Sequence, residues 1–408
     1  LAESWQLYLI DRQLDDAHLA ALEQGLRETL EDVRAAVVDW RAMRRQMERL
    51  GQGLEQSPPP RSDRADIDEA RALLGWMAAE HFVFLGYRHY RLRRGAHVDR
   101  LVPDAGSGLG ILRSRRGDEP RDNLLRGAMR ALARDRSVVV ITKANAVATV
   151  HRATHLDYVA VKEFDARGEP CGEHRFLGLW TSTAYFASPR DIPVLRLKVA
   201  RVVEQFGLDP SSHDGKAVLA VLETYPRDEL FQASAAELIA IVRDVVNLYE
   251  RRSTRLLVRR DIFGRFYSCM AYVPRDRYTT EVRHRIEQII LRRFAGTHVE
   301  SQVQISESNH ARLHVVVRVA QDDDDAPRRG AQAAPDLAAI EREIADAAST
   351  WNDRLRAELF RAHAPAEAAR LAAAYTGAFP VAYQAQVSAA DALQDIGDLE
   401  QLGDARDA

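Results

Sequence analysis

The spacing of the apolar residues changes several times along this chain, and these changes restrict the fold more than any other feature. After residue 253, two runs carry an apolar residue at every second position, and a run at steps of three and four follows them. Two more alternating runs come next. Alternation is typical of half-buried strands, and steps of three and four of a helix with one apolar face. The order ββαββ, with a later helix, predicts an α+β domain over residues 254–320.

Single residues mark the ends of these predicted elements. The pair Phe263-Gly264 predicts a hairpin turn between the first two strands. Thr279 or Thr280 is placed to cap the helix, and Gly296 to end it. An acidic loop over residues 321–335 and a helical motif over 336–408 are expected to follow, with an interruption at Pro365.

The region over residues 66–189 combines both spacings as well. It opens with a helix predicted to run through Ala79, and four β-rich runs follow. A helical stretch near Asn123 to Arg134 lies between the first and second of these runs. Four antiparallel strands with helices predict a second α+β domain. Apolar residues at helical spacing then predict a helical connector over residues 190–253.

The N-terminal part reads as a strand followed by one long helix. Alternating apolar residues over positions 5–9 predict the strand, and Asp15 or Asp16 is placed to cap the helix. A single apolar stripe then continues to about Leu50. Packing within the chain is the first interpretation of this stripe, and an intermolecular coiled coil is the alternative. Glycine, proline and charge over residues 51–65 predict a linker.

Composition excludes several classes of protein. A length of 408 residues predicts two to four domains at roughly 150 residues each, and a net charge of −3 argues against a general nucleic-acid binder. Two cysteines, Cys171 and Cys269, exclude a disulfide scaffold and indicate a reducing, cytoplasmic setting, with Cys269 buried as a small hydrophobe. We expect no membrane span and no secretory signal. Both ends of the sequence suggest a segment of a longer protein.

Motifs for catalysis, cofactor binding and metal binding are missing from the sequence. The glycines at positions 106–110 lack the spacing of a dinucleotide loop, and no phosphate-binding loop occurs. His151 and His155, like His310 and His314, are four residues apart, but each pair lacks a third ligand. We interpret all four as ordinary surface histidines. The sequence therefore predicts no catalytic, cofactor-binding or metal-ligating residue.

The stretch LETYPRDELFQ concentrates polar residues between two apolar helical patterns. Its candidate structural or ligand cluster consists of Glu223, Tyr225, Arg227, Asp228 and Glu229. One helix should end before Pro226, which suits the first turn of the next helix, where Asp and Glu favour the positive end of the dipole. The structural interpretation is a corner between helices. In the alternative, Arg227 binds an acidic ligand or a partner domain through its guanidinium group.

Long stretches of the sequence resemble the large bacterial NAD-specific glutamate dehydrogenases. In chain order they are LEDVRAAVVDWRAM, EHFVFLGYRHYRL, GLWTSTAYFASPRDIPVLRLKVARVVE, HDGKAVLAVLETYPRDELFQ, RLLVRRDIFGRFYSCMAYVPRDRYTTEVRHRIE and FPVAYQAQ. The resemblance implies an N-terminal region in which ACT-type (ferredoxin-like) units and a PAS-like unit are joined by helical connectors. Residues 1–50 would complete a first ACT-type unit, 66–189 would be the PAS-like domain, and 254–320 a second ACT-type domain.

This resemblance implies a regulatory and assembly segment of an NAD-dependent glutamate dehydrogenase. The whole enzyme would convert L-glutamate to 2-oxoglutarate and ammonia, with NAD bound outside this non-catalytic segment. The ββαββα order departs from the βαββαβ order usual for ACT domains, so no effector-site residue is transferred. We expect a second copy of the chain and a small amino-acid effector as partners, and neither nucleic acid nor membrane. The alternative is a stand-alone amino-acid-sensing or oligomerisation scaffold.

Overall fold

The computed structural model divides the chain into two compact units, Leu1–Arg243 and Asp244–Ala408. The residues it describes are 15–113, 122–249, 253–305, 308–319 and 335–404. The strand predicted over positions 5–9 and nearly all of the predicted acidic loop lie outside them. None of the helices in these ranges is long and apolar enough to cross a membrane.

The first unit is built on an antiparallel sheet of seven strands. The strands are β1 (Phe82–Arg93), β2 (Asp99–Pro103), β3 (Leu109–Gly110), β4 (Asn123–Leu125), β5 (Val139–Val147), β6 (His155–Phe164) and β7 (Pro170–Trp180). Their order is β4-β2-β1-β7-β6-β5, and β3 pairs with β1. The four β-rich runs of the sequence are confirmed as β1, β5, β6 and β7. The first and last strands, β1 and β7, therefore lie side by side at the centre.

Helices come before, within and after the strands of this sheet in the chain. They are α1 (Asp16–Gln56), α2 (Arg64–Trp76), α3 (Gly127–Arg134), α4 (Ser182–Phe186), α5 (Leu195–Phe206), α6 (His213–Thr224), α7 (Arg227–Gln232) and α8 (Ala235–Tyr249). Two boundaries differ from the prediction. The helix expected through Ala79 ends at Trp76 and passes into a π-turn, and residues 123–125 form a strand because they pair with β2.

Helix α1 is longer than predicted and is fixed to the sheet unit by its C-terminal part. Asp15 caps it, accepting a hydrogen bond from the backbone N–H of His18 at 2.8 Å. The predicted end near Leu50 is wrong, because the helix continues through two glycines to Gln56 and buries Leu54. The predicted linker is therefore helical over its first six residues, 51–56. Met43 and Met47 are fully buried, whereas Leu30 is half exposed.

In its described residues, the second unit contains a four-stranded antiparallel sheet and six α-helices. The strands are β8 (Arg255–Arg260), β9 (Phe266–Pro274), β10 (Gly296–Ile305) and β11 (His310–Val319), in the order β10-β11-β9-β8. The helices are α9 (Thr280–Arg293), α10 (Leu337–Ala347), α11 (Trp351–Ala362), α12 (Pro365–Tyr375), α13 (Val381–Gln386) and α14 (Ala392–Asp404). In the chain, α9 lies between β9 and β10, and the other helices follow β11. The predicted ββαββα order is confirmed.

One core joins this sheet to α9 and α10. Ile286 and Ile290 of α9 and Ile344 of α10 are completely buried against alternate residues of the strands. Cys269 belongs to the same core, which confirms its predicted role as a small hydrophobe. Helix α10 therefore completes the sheet domain as the later helix of the predicted order, although the predicted bounds 254–320 did not include it. Helices α11, α12 and α14 have a separate core around Leu355.

The predicted turns and caps of this unit are mostly in place. Gly264 adopts a left-handed φ of 69° in the turn between β8 and β9, and Thr279 caps α9 through the backbone N–H of Val282. The predicted stop at Gly296 is wrong, since Ala295 takes the left-handed conformation, with a φ of 48°. Gly296 opens β10 instead, where a Cβ atom would lie 2.3 Å from Cγ2 of Val317.

Candidate functional site

The stretch LETYPRDELFQ forms the corner between α6 and α7. Tyr225 follows the last residue of α6, and Pro226 has the extended ψ of 132° of an N-cap, one position before its predicted place. The Arg227 guanidinium donates hydrogen bonds to the carbonyl oxygens of Ala187 at 3.0 Å and of Tyr225 and Glu223 at 2.9 Å each. This side chain therefore holds the backbone of the corner together.

The acidic residues of the candidate cluster point to different partners. The Glu223 carboxylate accepts hydrogen bonds from Ser188 at 2.8 Å and from Arg190 at 2.9 Å. Glu229 is 2% exposed, and Tyr225 is 3% exposed. Glu223 and Asp228 therefore bind different side chains. Arg227 contacts Glu223 through the backbone carbonyl oxygen of that residue.

Asp228 belongs to a partly buried group that we call the lysine cluster: Lys143, Asp157, Tyr185 and Asp228. The Lys143 ammonium lies 2.6 Å from Asp157 and 3.1 Å from Asp228. The Tyr185 hydroxyl donates to Asp228 at 3.2 Å, and Asp157 accepts the backbone N–H of Trp180 at 3.1 Å. The cluster therefore connects β5 and β6 to α4 and α7.

Burial and the excess of negative charge determine the protonation of the lysine cluster. Burial, with Asp228 nearby, raises the pKa of Asp157 to about 6, although Lys143 acts in the opposite direction. Burial lowers the pKa of Lys143, but the two carboxylates outweigh it and raise that pKa far above its usual range. One ammonium shared by two carboxylates is a stable arrangement only while both keep their hydrogen bonds. These groups bind each other, so we interpret the cluster as structural.

A second polar group lies at the centre of the same sheet, and we call it the histidine cluster: His89, Asp104, Glu163 and His174. His89 faces two carboxylates, with Nδ1 3.2 Å from Asp104 and Nε2 3.1 Å from Glu163. The imidazole rings of His89 and His174 stack with centroids 4.5 Å apart. The side chains come from three adjacent strands, β1, β7 and β6, and from the loop after β2.

The surroundings of His174 keep its ring neutral and oriented. Burial and the nearby His89 lower the pKa of His174 to about 4. Its Nδ1 atom lies 2.9 Å from the Tyr87 hydroxyl, which also accepts a hydrogen bond from Gln46 of α1. Burial raises the pKa of Tyr87. At neutral pH, His174 therefore presents an uncharged imidazole next to the two carboxylates of the cluster.

Sequence reasoning missed the histidine cluster and misjudged other histidines. His89 pairs with His174 in the antiparallel register of β1 and β7, 85 positions apart in the sequence. Of the four histidines interpreted as surface residues, His155 is 8% and His310 is 3% exposed, so that interpretation is wrong for both. His310 has a backbone partner, the carbonyl oxygen of Ser253 at 3.1 Å. One histidine in each of two predicted strands, β1 and β7, was the available signal.

The glycine-rich segment at positions 106–110 is tied to α1. Asp39 of α1 is 5% exposed and accepts the backbone N–H of Gly110 at 2.8 Å. The same carboxylate binds the guanidinium of Arg113. A side chain at Gly110 would meet the carbonyl oxygen of Leu85 at 2.1 Å, and the φ of Gly110 is 61°. These contacts explain the glycine by backbone packing.

Comparison with known proteins assigns these elements to one group of enzymes. Sequence models of glutamate dehydrogenase match in three places: helical motif 1 over residues 192–251, the ACT2 domain over 255–352 and helical motif 2 over 358–402. The ACT2 match includes α10, in agreement with the core that this helix shares with the sheet.

Curated relatives extend the similarity to nearly the whole chain. The NAD-specific glutamate dehydrogenase of Halomonas elongata is 34% identical over 401 residues, which are 96% of this chain and 24% of that protein. The proteins of the same name from Pseudomonas aeruginosa and Mycobacterium tuberculosis are 33% and 32% identical, each over 99% of this chain and 24% of their own length. The chain spans about a quarter of these relatives. Over the part that it spans, the chain is therefore similar to the NAD-specific glutamate dehydrogenases.

Proposed function

We propose that this chain is the regulatory and assembly segment of an NAD-dependent glutamate dehydrogenase that oxidises L-glutamate to 2-oxoglutarate and ammonia. The observation that carries the proposal is the match to the ACT2 domain and to two helical motifs within a quarter of the relatives' length. NAD binds outside the segment, because the sequence contains no dinucleotide loop. Two free thiols, Cys171 and Cys269, support the cytoplasmic setting.

The folds of the two sheet domains support a regulatory and assembly role for this segment. In the first unit, the first and last strands pair at the centre of an antiparallel sheet, an order that supports the proposed PAS-like domain. In the second unit, α9 and α10 cover one face of a four-stranded sheet, as expected of an ACT-type domain. Domains of these types bind small molecules or each other, and a small amino acid is the proposed effector.

An assay of the purified chain tests the absence of catalysis. NADH formation is followed by absorbance with saturating L-glutamate and NAD, and a glutamate dehydrogenase of the complete family length is the positive control. We expect no turnover above the background of the reagents. Turnover that persists after a second purification and responds to substitutions in this chain would contradict the proposal.

Assembly is proposed to use the edge of the second sheet. Strand β10 ends the strand order, and Val303 and Ile305 on it are 44% and 57% exposed. An edge strand offers unpaired backbone groups to a second copy. Light scattering over a concentration series should show a dimer that the charged substitution Val303→Lys weakens, whereas Arg243→Lys, at an exposed position in the first unit, leaves it unchanged. A monomer at every concentration would contradict this part of the proposal.

A further inference from the structure

The histidine cluster brings together side chains that can bind a metal ion. One donor atom from each of His89, Glu163 and His174 lies within 4.8 Å of the other two. In the described part of the chain, no other three histidine, cysteine or acidic side chains satisfy this distance. Donor atoms around a tetrahedral zinc ion lie about 3.3 Å apart, given bonds of about 2.0 Å. Binding therefore requires a closure of at most about 1.5 Å between donor atoms.

The contact between His89 and Asp104 is typical of a histidine that binds a metal ion. Its Nδ1 atom faces Asp104 at 3.2 Å, so Nε2 is the nitrogen that points toward Glu163. Histidine ligands in metal sites usually donate the other ring N–H to a carboxylate, which orients the ring and strengthens the ligand. Asp104 would have this role, and the ion would replace the hydrogen bond between His89 and Glu163.

His174 is held in a comparable way and is available as a ligand. The Tyr87 hydroxyl lies 2.9 Å from its Nδ1 atom, and Gln46 fixes that hydroxyl in turn. Metal ligation requires a neutral imidazole. When Nδ1–H donates to the Tyr87 hydroxyl, Nε2 carries the lone pair that an ion would bind.

The sheet holds these three side chains in place and leaves space beside them for an ion. The three residues lie on adjacent hydrogen-bonded strands, and His89 and His174 are direct partners in the register. A Cβ atom on Gly172 would lie 2.9 Å from Glu163 Oε2 and 3.4 Å from His89 Nε2, so a glycine keeps this side open. The Glu163 side chain is 48% exposed, which gives an ion access from solvent.

We propose that His89, Glu163 and His174 form a binding site for one divalent transition-metal ion of the zinc type, with a fourth position for water. Two imidazoles and one carboxylate are a ligand set typical of zinc and neighbouring ions, whereas calcium and magnesium prefer oxygen ligands. The alternative is structural: His89 only links two carboxylates across the sheet. That alternative predicts no stoichiometric metal binding.

Calorimetric titration of the purified 408-residue chain with Zn²⁺ distinguishes the two interpretations. We expect one ion per chain, and Co²⁺ in the same site should give the visible absorption of a four- or five-coordinate ion. Glu163→Gln should weaken binding at least about 100-fold, because it removes a charged ligand. Asp104→Asn should weaken it about 10-fold through the orientation of His89. The control His97→Gln changes an exposed histidine of the same unit and should have no effect.

Circular dichroism confirms in each case that the variant is folded. If His174→Asn does not fold, zinc binding by Glu163→Gln still tests the proposal, because the Glu163 side chain is half exposed. Absence of zinc binding by the folded chain would overturn the proposal. Zinc affinity that is unchanged in Glu163→Gln but reduced in His97→Gln would overturn it as well, since the ion would then occupy surface histidines.

Discussion

The lysine cluster and the histidine cluster lie in the same sheet unit and have opposite characters. In the lysine cluster, the ammonium of Lys143 satisfies two carboxylates, and the Asp157 side chain is only 3% exposed. In the histidine cluster, Glu163 is half exposed, and three donor atoms converge. Charges that bind each other inside a fold make it costly to remove one partner, whereas converging donors at a solvent-accessible position are suited to binding. Carboxylates therefore have different roles in the two clusters, depending on their partners and their access to water.

Removal of the shared ammonium should give the largest effect. Lys143→Met leaves the buried Asp157 and the partly buried Asp228 together without a positive charge, so we expect a loss of about 3–5 kcal/mol in the free energy of unfolding. Chemical denaturation followed by circular dichroism measures it. Lys216→Met, at an exposed position of α6, is the matched control and should change the free energy by less than about 0.5 kcal/mol. Equal losses in both variants would show that the cluster is not structural.

The charge of Asp157 should also make stability depend on pH. Its pKa is about 6 in the folded chain and near 3.8 when exposed, so the folded state binds the extra proton between these values. This contribution is fully present below about pH 4 and is lost as the pH rises through 6. The free energy of unfolding of the unsubstituted chain should therefore fall by about 3 kcal/mol relative to Asp157→Asn between pH 4 and pH 7. A constant or rising difference would contradict the assignment.

Arg227 offers a smaller test of the structural corner. Arg227→Ala removes three hydrogen bonds to carbonyl oxygens, so we expect a loss of about 2 kcal/mol. Denaturant titration compares it with Arg243→Ala, which changes an exposed arginine of the same unit. An unchanged midpoint would mean that water replaces the guanidinium at the corner.

Elements with long apolar patterns could be predicted from the sequence, and short or paired features could not. Strands β1, β5, β6 and β7 and helix α9 follow their periodicity closely. The strand Asn123–Leu125 was missed because three residues have no periodicity, and only its pairing with β2 defines it. Helix α1 continues through Gly51 since burial of Leu54 outweighs the low helix propensity of glycine.

Neither polar cluster could be predicted from the sequence, for the same reason in each case. Asp228 was part of the predicted candidate stretch, but its partner Lys143 lies 85 positions earlier and is brought close by the fold. His89 and His174 are equally distant in sequence and meet through strand register. Local patterns predict strands, while the pairing of strands depends on the whole sheet. A site assembled from β1, β6 and β7 therefore appears only in the structure.

The free energy of unfolding with and without zinc tests most directly whether the lysine cluster stabilises the fold while the histidine cluster binds a ligand. At a zinc concentration 100 times the dissociation constant, binding should stabilise the unsubstituted chain by about 2.7 kcal/mol. Without zinc, Glu163→Gln should lose less than about 1 kcal/mol, and with zinc it should gain almost nothing. If Glu163→Gln without zinc were as unstable as Lys143→Met, or if zinc stabilised Glu163→Gln as much as the unsubstituted chain, the distinction between the two clusters would be wrong.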